Sequence, residues 1–323
     1  MEEKKIDWEK VKKEIEEVLG IKCEKEVNLD KFTSFNIGGP ADLFCQVNKK
    51  EELRKVCQFC IKEKVPFFLL GGGSNILIGD KGIRGLVIRD KTSEIKIVGV
   101  KGVKKGKDDK REFFISCDSG VRVNRLVRYL IEEEVSGMEM FLGLPGTVGA
   151  GIFGNAHFGG NYISDNLIEV EYINGEGEVV RRKKEEVGFS YNMSDFKKKG
   201  EVILLVVFRF EKGKKDKMWE VANESFERRR QNQPYGEKSA GCVFGNINQG
   251  DGESSAGYYI DRAGLKGEKE GGVEVSDVHG NFVINRRSGK ALDVVKLMSR
   301  VKRKVKEKFG IDLVEEIKLV GEF

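Results

Sequence analysis

Apolar positions in EELRKVCQFCIKEK repeat with the period of a helix. Leu53, Val56, Cys57, Cys60 and Ile61 stand at i, i+3, i+4, i+7 and i+8, one face over two turns. The same spacing predicts helices elsewhere. Val11, Ile15, Val18 and Leu19 mark a short leader helix closed by Gly20, where a C-terminal cap glycine belongs. Val123, Leu126, Val127, Leu130 and Ile131 mark a helix within 122–134. Trp219 and Phe226 lie on another that starts at Asp216 and ends by Pro234, and Val294, Leu297, Met298, Val301 and Val305 define a long one before Gly310.

Between these, short apolar runs read as strands: VPFFLL (65–70), ILIGD (76–80), RGLVIRD (84–90), LIEVEYING (167–175), VILLVVFRF (202–210) and LVEEIKLV (313–320). VPFFLL, continuous and bounded by turn residues, reads as buried. IKIVGV and REFFISC flank the lysine-rich GVKKGKDDK and predict a hairpin with a long charged tip. LIEVEYING and VILLVVFRF bracket an NGEGE turn. The mixture is α+β, with at least two domains and a boundary near KGKKDK (212–217).

Composition narrows the classes of function. At 323 residues the chain has room for two or three domains. Its charged share of 34% exceeds the roughly 25% of average soluble domains and predicts a dense lysine and glutamate surface. Lys+Arg of 58 against Asp+Glu of 53 leaves only +5. No arginine-aromatic stripe tracks nucleic acid, so small anionic molecules are the expected partners. No run reaches the roughly 20 apolar residues that span a bilayer, and MEEKKIDWEKVKKE is too charged for a secretory signal. Six dispersed cysteines suit a reduced, cytoplasmic protein, and the C-x-x-C of Cys57 and Cys60 falls on an apolar helix face, where it reads as core. With His157 and His279 as the only histidines, and no four-ligand spacing, no metal site is expected. GVKKGKD is not a P-loop, because Asp108 stands where Ser or Thr should bind magnesium.

Two glycine runs carry more chemistry. Gly71-Gly72-Gly73-Ser74-Asn75, between two strands, and Leu144-Pro145-Gly146-Thr147-Val148-Gly149-Ala150-Gly151 could let backbone N–H groups approach an anion closely, and together they suggest a pyrophosphate cradle. Neither is a dinucleotide fingerprint of the Rossmann type, which must open a helix directly after a strand. A third stretch, KSAGCVFGN (238–246), places Cys242 among small residues, where a lone cysteine is most often a small buried hydrophobe.

SFNIGGPAD (34–42), LGGGSNILIGDKGIRGLVI (70–88), GMEMFLGLPGTVGAG (137–151), SAGCVF (239–244), RAGLKG (262–267), GGVEVSDVHGNFVIN (271–285) and LVEEIKLVG (313–321) follow one another in an order and spacing that resemble the UDP-N-acetylenolpyruvoylglucosamine reductase family. The resemblance spans roughly residues 28 to 321. It implies a two-lobed FAD-binding domain of the vanillyl-alcohol-oxidase (PCMH) type over 28–215, after a helical leader over 1–27. A C-terminal α+β substrate-binding domain would follow over 216–323, its final strand returning to the FAD domain. The short link between the strand at 202–210 and the helix at 216 matches the compact subclass of the family. FAD would be the cofactor, bound by Gly71, Gly72, Gly73, Ser74, Asn75, Ile76, Pro145, Gly146, Thr147, Gly149, Gly151 and Asn155, with NADPH as co-substrate.

By the same resemblance, reduced flavin reduces the enolpyruvyl group of a UDP-sugar to give UDP-N-acetylmuramate. The flavin carries the redox chemistry and the protein supplies placement and charge. Cys242 occupies the family's proton-donor position, and a thiol with a reference pKa of about 8.5 releases a proton far more readily than a serine hydroxyl. Glu316 matches the last glutamate of the C-terminal motif, and strand alternation turns Glu315 the other way. Tyr191 and Asn192, in FSYNMSDF (189–196), match the substrate-carboxylate motif, but Asn192 stands where the family has arginine. An amide donates a neutral hydrogen bond where guanidinium presents a charged fork, so either another cation serves or activity is impaired. Arg228, Arg229, Lys197, Lys198 and His157 are the candidates, and Asn246 could hold a substrate phosphate. Two alternatives stay open: a flavin-binding paralogue without efficient reduction, and a sugar or alcohol oxidase on the same fold.

Overall fold

The computed structural model describes residues 6–105, 108–247 and 255–323. Its contacts resolve two compact units. The first is Met1–Lys25, Leu43–Gly72 and Gly85–Glu227, and the second is Glu26–Asp42, Gly73–Arg84 and Arg228–Phe323. These units divide the chain differently from the boundaries expected near 27 and 215. Segments 26–42 and 73–84 belong with the C-terminal third because Phe35, Ile37 and Leu77 share one apolar core with Val294, Leu297 and Val301. The last strand, Lys318–Val320, also pairs in parallel with Ile76–Ile78.

In the first unit, five strands lie side by side in the order Val179–Lys183, Leu167–Ile173, Val202–Lys212, Asp108–Asp118 and Ile95–Lys105, with Val135–Ser136 pairing to Val202–Lys212. Phe208 stands opposite Ile115, and Val206 opposite Cys117. Two-residue alternation points Val206, Phe208 and Phe210 to one face, where they pack with Leu126, Val127 and Leu130 of the helix Val123–Glu132. A second sheet runs Cys23–Asn28, Pro40–Val47, Ile83–Asp90, Phe67–Leu70. The helix Lys50–Glu63 buries Leu53, Val56, Cys57 and Cys60 in one cluster with Leu43, Leu86 and Ile88. The C-x-x-C pair is therefore core, as its spacing predicts, and all six cysteines are thiols outside any disulfide.

Four sequence expectations change. Val18 is 75% exposed, because Ile15–Leu19 continues the leader helix with π geometry and rotates it off the face that buries Val11 and Ile15. Phe67, Phe68 and Leu69 are half-buried rather than fully buried, with only Leu70 in the core. The NGEGE turn leads into an extra strand, Val179–Lys183, whose polar edge sequence gives no apolar signal, and Leu167–Ile173 pairs with both that strand and Val202–Lys212. The expected long hairpin tip is largely ladder, with Lys105 opposite Asp108. Gly106 and Lys107 of that tip lie outside the described residues.

The second unit packs the helix Ala291–Phe309 against the helix Ala256–Arg262 and the strands Lys269–Glu270, Val273–Val275 and Val283–Asn285. Gly310, at φ 72, ends the long helix in the left-handed conformation. Its start is held by Asp80, whose carboxylate accepts hydrogen bonds from Ala291 N at 2.8 Å and Leu292 N at 3.1 Å. First-turn N–H groups have no partner within a helix, and negative charge is stabilising there. Among the described residues no helix is long and apolar enough to cross a membrane. Asp80→Ala should lower stability to urea by about 1 kcal/mol, and Asp80→Asn by less, since its amide oxygen still accepts. Equal stability of Asp80→Ala and the parent protein would show that the cap contributes nothing.

Candidate functional site

In the first unit the two glycine runs lie against each other. Gly71 and Gly72 leave the strand Phe67–Leu70, and 145–147 lead into the short helix Val148–Gly154. A Cβ on Gly72 would stand 2.5 Å from Gly146 Cα, and one on Gly71 2.7 Å from Thr147 Oγ1, so side chains are excluded at both positions. Val148 N and Gly149 N donate to the carbonyls of Val121 and Ser119, each at 2.8 Å, and Ala150 N donates to Thr147 Oγ1 at 3.4 Å. Gly146, Thr147, Gly149 and Gly151 thus contribute close packing, while Pro145 is exposed. By contrast, among the described residues the N–H groups of Gly71 and Gly72 donate to no backbone carbonyl. Such donors suit an anionic ligand. Gly73, at φ 64, Ser74 and Asn75 continue the loop in the second unit, and Ile76 enters the strand paired with Lys318.

Asn155, expected to bind the cofactor, is engaged by its own neighbours in the structure. Its buried amide donates to Ser190 O at 3.0 Å and accepts from Ser164 Oγ at 2.7 Å, tying the end of the short helix to the hairpin beyond it. That hairpin pairs Phe189–Ser190 with Met193–Ser194, leaving Tyr191 and Asn192 as its two-residue turn. Asn192 has φ 53, a left-handed conformation that asparagine tolerates well. Lys197 Nζ donates to the Asn192 carbonyl at 2.9 Å and brings an ammonium to the turn, whereas Lys198 is exposed and faces Asp195 at 3.4 Å. The His157 ring packs 4.7 Å from Tyr191 and 5.5 Å from Tyr162, centroid to centroid. Burial lowers its pKa below the usual value, which favours the neutral ring at pH 7 and makes it a poor source of the missing positive charge.

In the second unit Cys242 lies in an extended segment between two others. Val243 N donates to Asn281 O at 2.9 Å, and Glu316 N donates to Val243 O at 2.8 Å. Alternation sends Glu315 outward to Lys302, 2.6 Å away, and Glu316 toward the thiol. Burial and then the Glu316 carboxylate push the Cys242 thiol up to about 12, against the pull of a hydrogen bond from Asn281 and the positive charge of Arg229. The reference value near 8.5 used for this thiol is therefore corrected upward. Arg229 is 5% exposed and burial brings its own pKa down to about 10, which keeps it charged at neutrality. Arg228 is exposed, so only one member of that pair faces the thiol. Asn281 was not legible as a site residue. Its Oδ1 accepts from Phe244 N at 2.9 Å and its Nδ2 donates to Phe244 O at 2.7 Å, fixing the segment that carries Cys242. Asn246 is exposed, next to residues 248–254, which lie outside those described.

The chain resembles known proteins over most of its length. A family profile described as UDP-N-acetylenolpyruvoylglucosamine reductase, C-terminal domain, matches residues 233–320, and one described as FAD binding domain matches 41–183. Curated reductases of that name from Caldanaerobacter subterraneus and Clostridium novyi are 34% and 31% identical to the chain, covering 91% and 97% of it and 92% and 97% of their own length. The solved UDP-N-acetylenolpyruvylglucosamine reductase from Thermus caldophilus superposes with a TM-score of 0.75 at 29% identity, over 93% of this chain and 99% of that one.

A thiol raised this far carries almost no thiolate near neutrality. Iodoacetamide should therefore label Cys242, the only cysteine not fully buried, about tenfold faster per pH unit from 8 to 10 without a plateau. A plateau near pH 9, followed by mass spectrometry of the labelled peptide, would show an ordinary thiol instead.

Proposed function

The chain belongs to the UDP-N-acetylenolpyruvoylglucosamine reductase family, and from that premise we propose that it reduces the enolpyruvyl group of UDP-N-acetylglucosamine enolpyruvate to UDP-N-acetylmuramate, with Cys242 as proton donor. It is an FAD-dependent oxidoreductase with NADPH as reductant. Bound FAD supplies the two-electron transfer from NADPH to the carbon–carbon double bond. Gly71 and Gly72, continued by Gly73, Ser74 and Asn75, would hold its pyrophosphate through backbone N–H groups, and the packing of Gly146 and Thr147 against Gly71 and Gly72 suits that role.

The protein's own chemistry is to complete the reduction with a proton. Electron density left next to the substrate carboxylate makes that carbon strongly basic, and it takes the proton from Cys242 Sγ. A thiol with its pKa near 12 is fully loaded at pH 7, and the nearby Glu316 charge favours its reprotonation after each turnover. Arg229 offsets part of the cost of the transient thiolate. The observation that carries this reading is the Cys242 segment held beside Glu316, whose N–H donates to Val243 O at 2.8 Å, inside the region matched by the reductase C-terminal domain. Lys197, at the Tyr191-Asn192 turn, is the proposed counter-charge to the substrate carboxylate, and Asn246 the proposed donor to a substrate phosphate. A cytoplasmic setting, where NADPH is available and thiols stay reduced, suits six cysteines outside any disulfide. Neither alternative, a flavin-binding paralogue or an alcohol oxidase, has an observation of its own in its favour.

Two half-reactions separate these roles. Flavoprotein reduced anaerobically with NADPH should be reoxidised by the enolpyruvyl UDP-sugar with formation of product. Cys242→Ala should slow reoxidation by about 10²- to 10⁴-fold, with Cys242→Ser between, while reduction by NADPH is unaffected. Wild-type reoxidation in Cys242→Ala would remove the thiol from the mechanism, and no reoxidation of the parent protein would remove the reductase assignment. Lys197→Met should raise KM for the sugar by about tenfold, the scale of one lost charge-assisted hydrogen bond. An unchanged KM would mean that the carboxylate is held elsewhere.

A further inference from the structure

We propose that Arg89 and Arg122 form a two-guanidinium clamp for the pyrophosphate of the bound flavin dinucleotide at the Gly71-Gly72 turn. The proposal rests on FAD being the ligand of that turn. Strand register places Arg89 beside the turn, because Leu70, the residue before Gly71, is paired with Arg89 on the neighbouring parallel strand. Arg122 approaches from another element. It is the N-cap of the helix Val123–Glu132 and bridges to Thr147, and its Nη1 lies 3.2 Å from where a Gly72 Cβ would be. Both side chains therefore spring from backbone fixed by ladder or helix, on elements that border a loop whose Gly71 and Gly72 N–H groups donate to no backbone carbonyl among the described residues.

The charges are arranged against their own interest. Arg89, half-buried on its strand, is held below the usual arginine range first by burial and then by the positive charge of Arg122, so the two cations repel. Arg89 Nη1 reaches a neutral acceptor, Gln46 Oε1, at 3.4 Å. Among the described residues Arg122 has no carboxylate partner. A dianion with four or more acceptor oxygens would relieve that repulsion and accept the planar donor forks of both guanidiniums while the loop N–H groups bind from below. Neither arginine lies in a glycine motif, which is why the sequence did not single them out.

The test uses full-length protein stripped of flavin and titrated with FAD, following quenching of flavin fluorescence. Arg122 is exposed, so Arg122→Gln should keep the thermal unfolding temperature of the parent protein. It should weaken FAD binding by at least about tenfold and make the affinity fall less steeply with added salt. Arg122→Lys, which keeps charge but loses the fork, should fall between the two, and Arg89→Lys should behave likewise. Wild-type affinity and salt dependence in Arg122→Gln would overturn the clamp while leaving the flavin assignment intact. Failure of the parent apoprotein itself to bind FAD would remove both.

Discussion

Three residue pairs fix how the last strand lies in the second unit. Lys318, Leu319 and Val320 pair in parallel with Ile76, Leu77 and Ile78, directly after the loop that begins with the glycine run. Lys318 N donates to Asn75 O, so the closing strand is anchored at the loop itself. With that strand fixed, the preceding residues have only one way to lie. Glu316 N must meet Val243 O, and two-residue alternation then decides that Glu316 faces Cys242 while Glu315 goes to Lys302. A slip of one residue would turn Glu316 away from the thiol and break the Glu315–Lys302 pair. The placement of Glu316 beside Cys242 is thus a consequence of register.

Burial then decides what the assembled groups can do. A carboxylate removed from water alone would protonate, and a guanidinium alone would lose part of its hold on its charge, as the lowered pKa of Arg229 records. The thiol is the one member of the set that can be buried neutral at little cost. Its proton becomes harder to remove, which is no handicap for an acid whose acceptor is a carbon next to a carboxylate. A base or a nucleophile needs the opposite shift, as reactive thiolates sit in electropositive, partly exposed places. The direction of the shift is the one the proposed proton donor needs.

The fold was legible in proportion to how much apolar surface each element buries. Long helices such as Lys50–Glu63 and Ala291–Phe309 announce themselves because their buried residues repeat locally. Val179–Lys183 was missed because an edge strand with one open face needs no apolar alternation, and Val18 was misplaced because one turn of π geometry cannot be read from spacing. The site divides in the same manner. Cys242, Glu316 and the glycine runs stand out as unusual residues in unusual local company. Asn281, Arg89, Arg122 and Lys197 are ordinary residues in ordinary company, and only tertiary proximity gives them roles.

Asn192 shows the limit of reading a position by its residue. Its left-handed φ makes a short polar residue the natural occupant of that turn, independent of any ligand. Electrostatics, however, depends on where a charge stands and not on which residue number bears it. Lys197, one helical turn further along and bonded to the Asn192 carbonyl, delivers its ammonium to the same turn from a different backbone position. The substitution is not neutral, since an ammonium is a point charge with rotatable donors where a guanidinium is a rigid fork. On the proposed reading, a carboxylate held by such a charge would be attracted as strongly but aligned less. Tyr191 packs against the His157 ring, whose pKa burial lowers, so the contact at the turn is between two uncharged rings further down in pH than a free imidazole would allow.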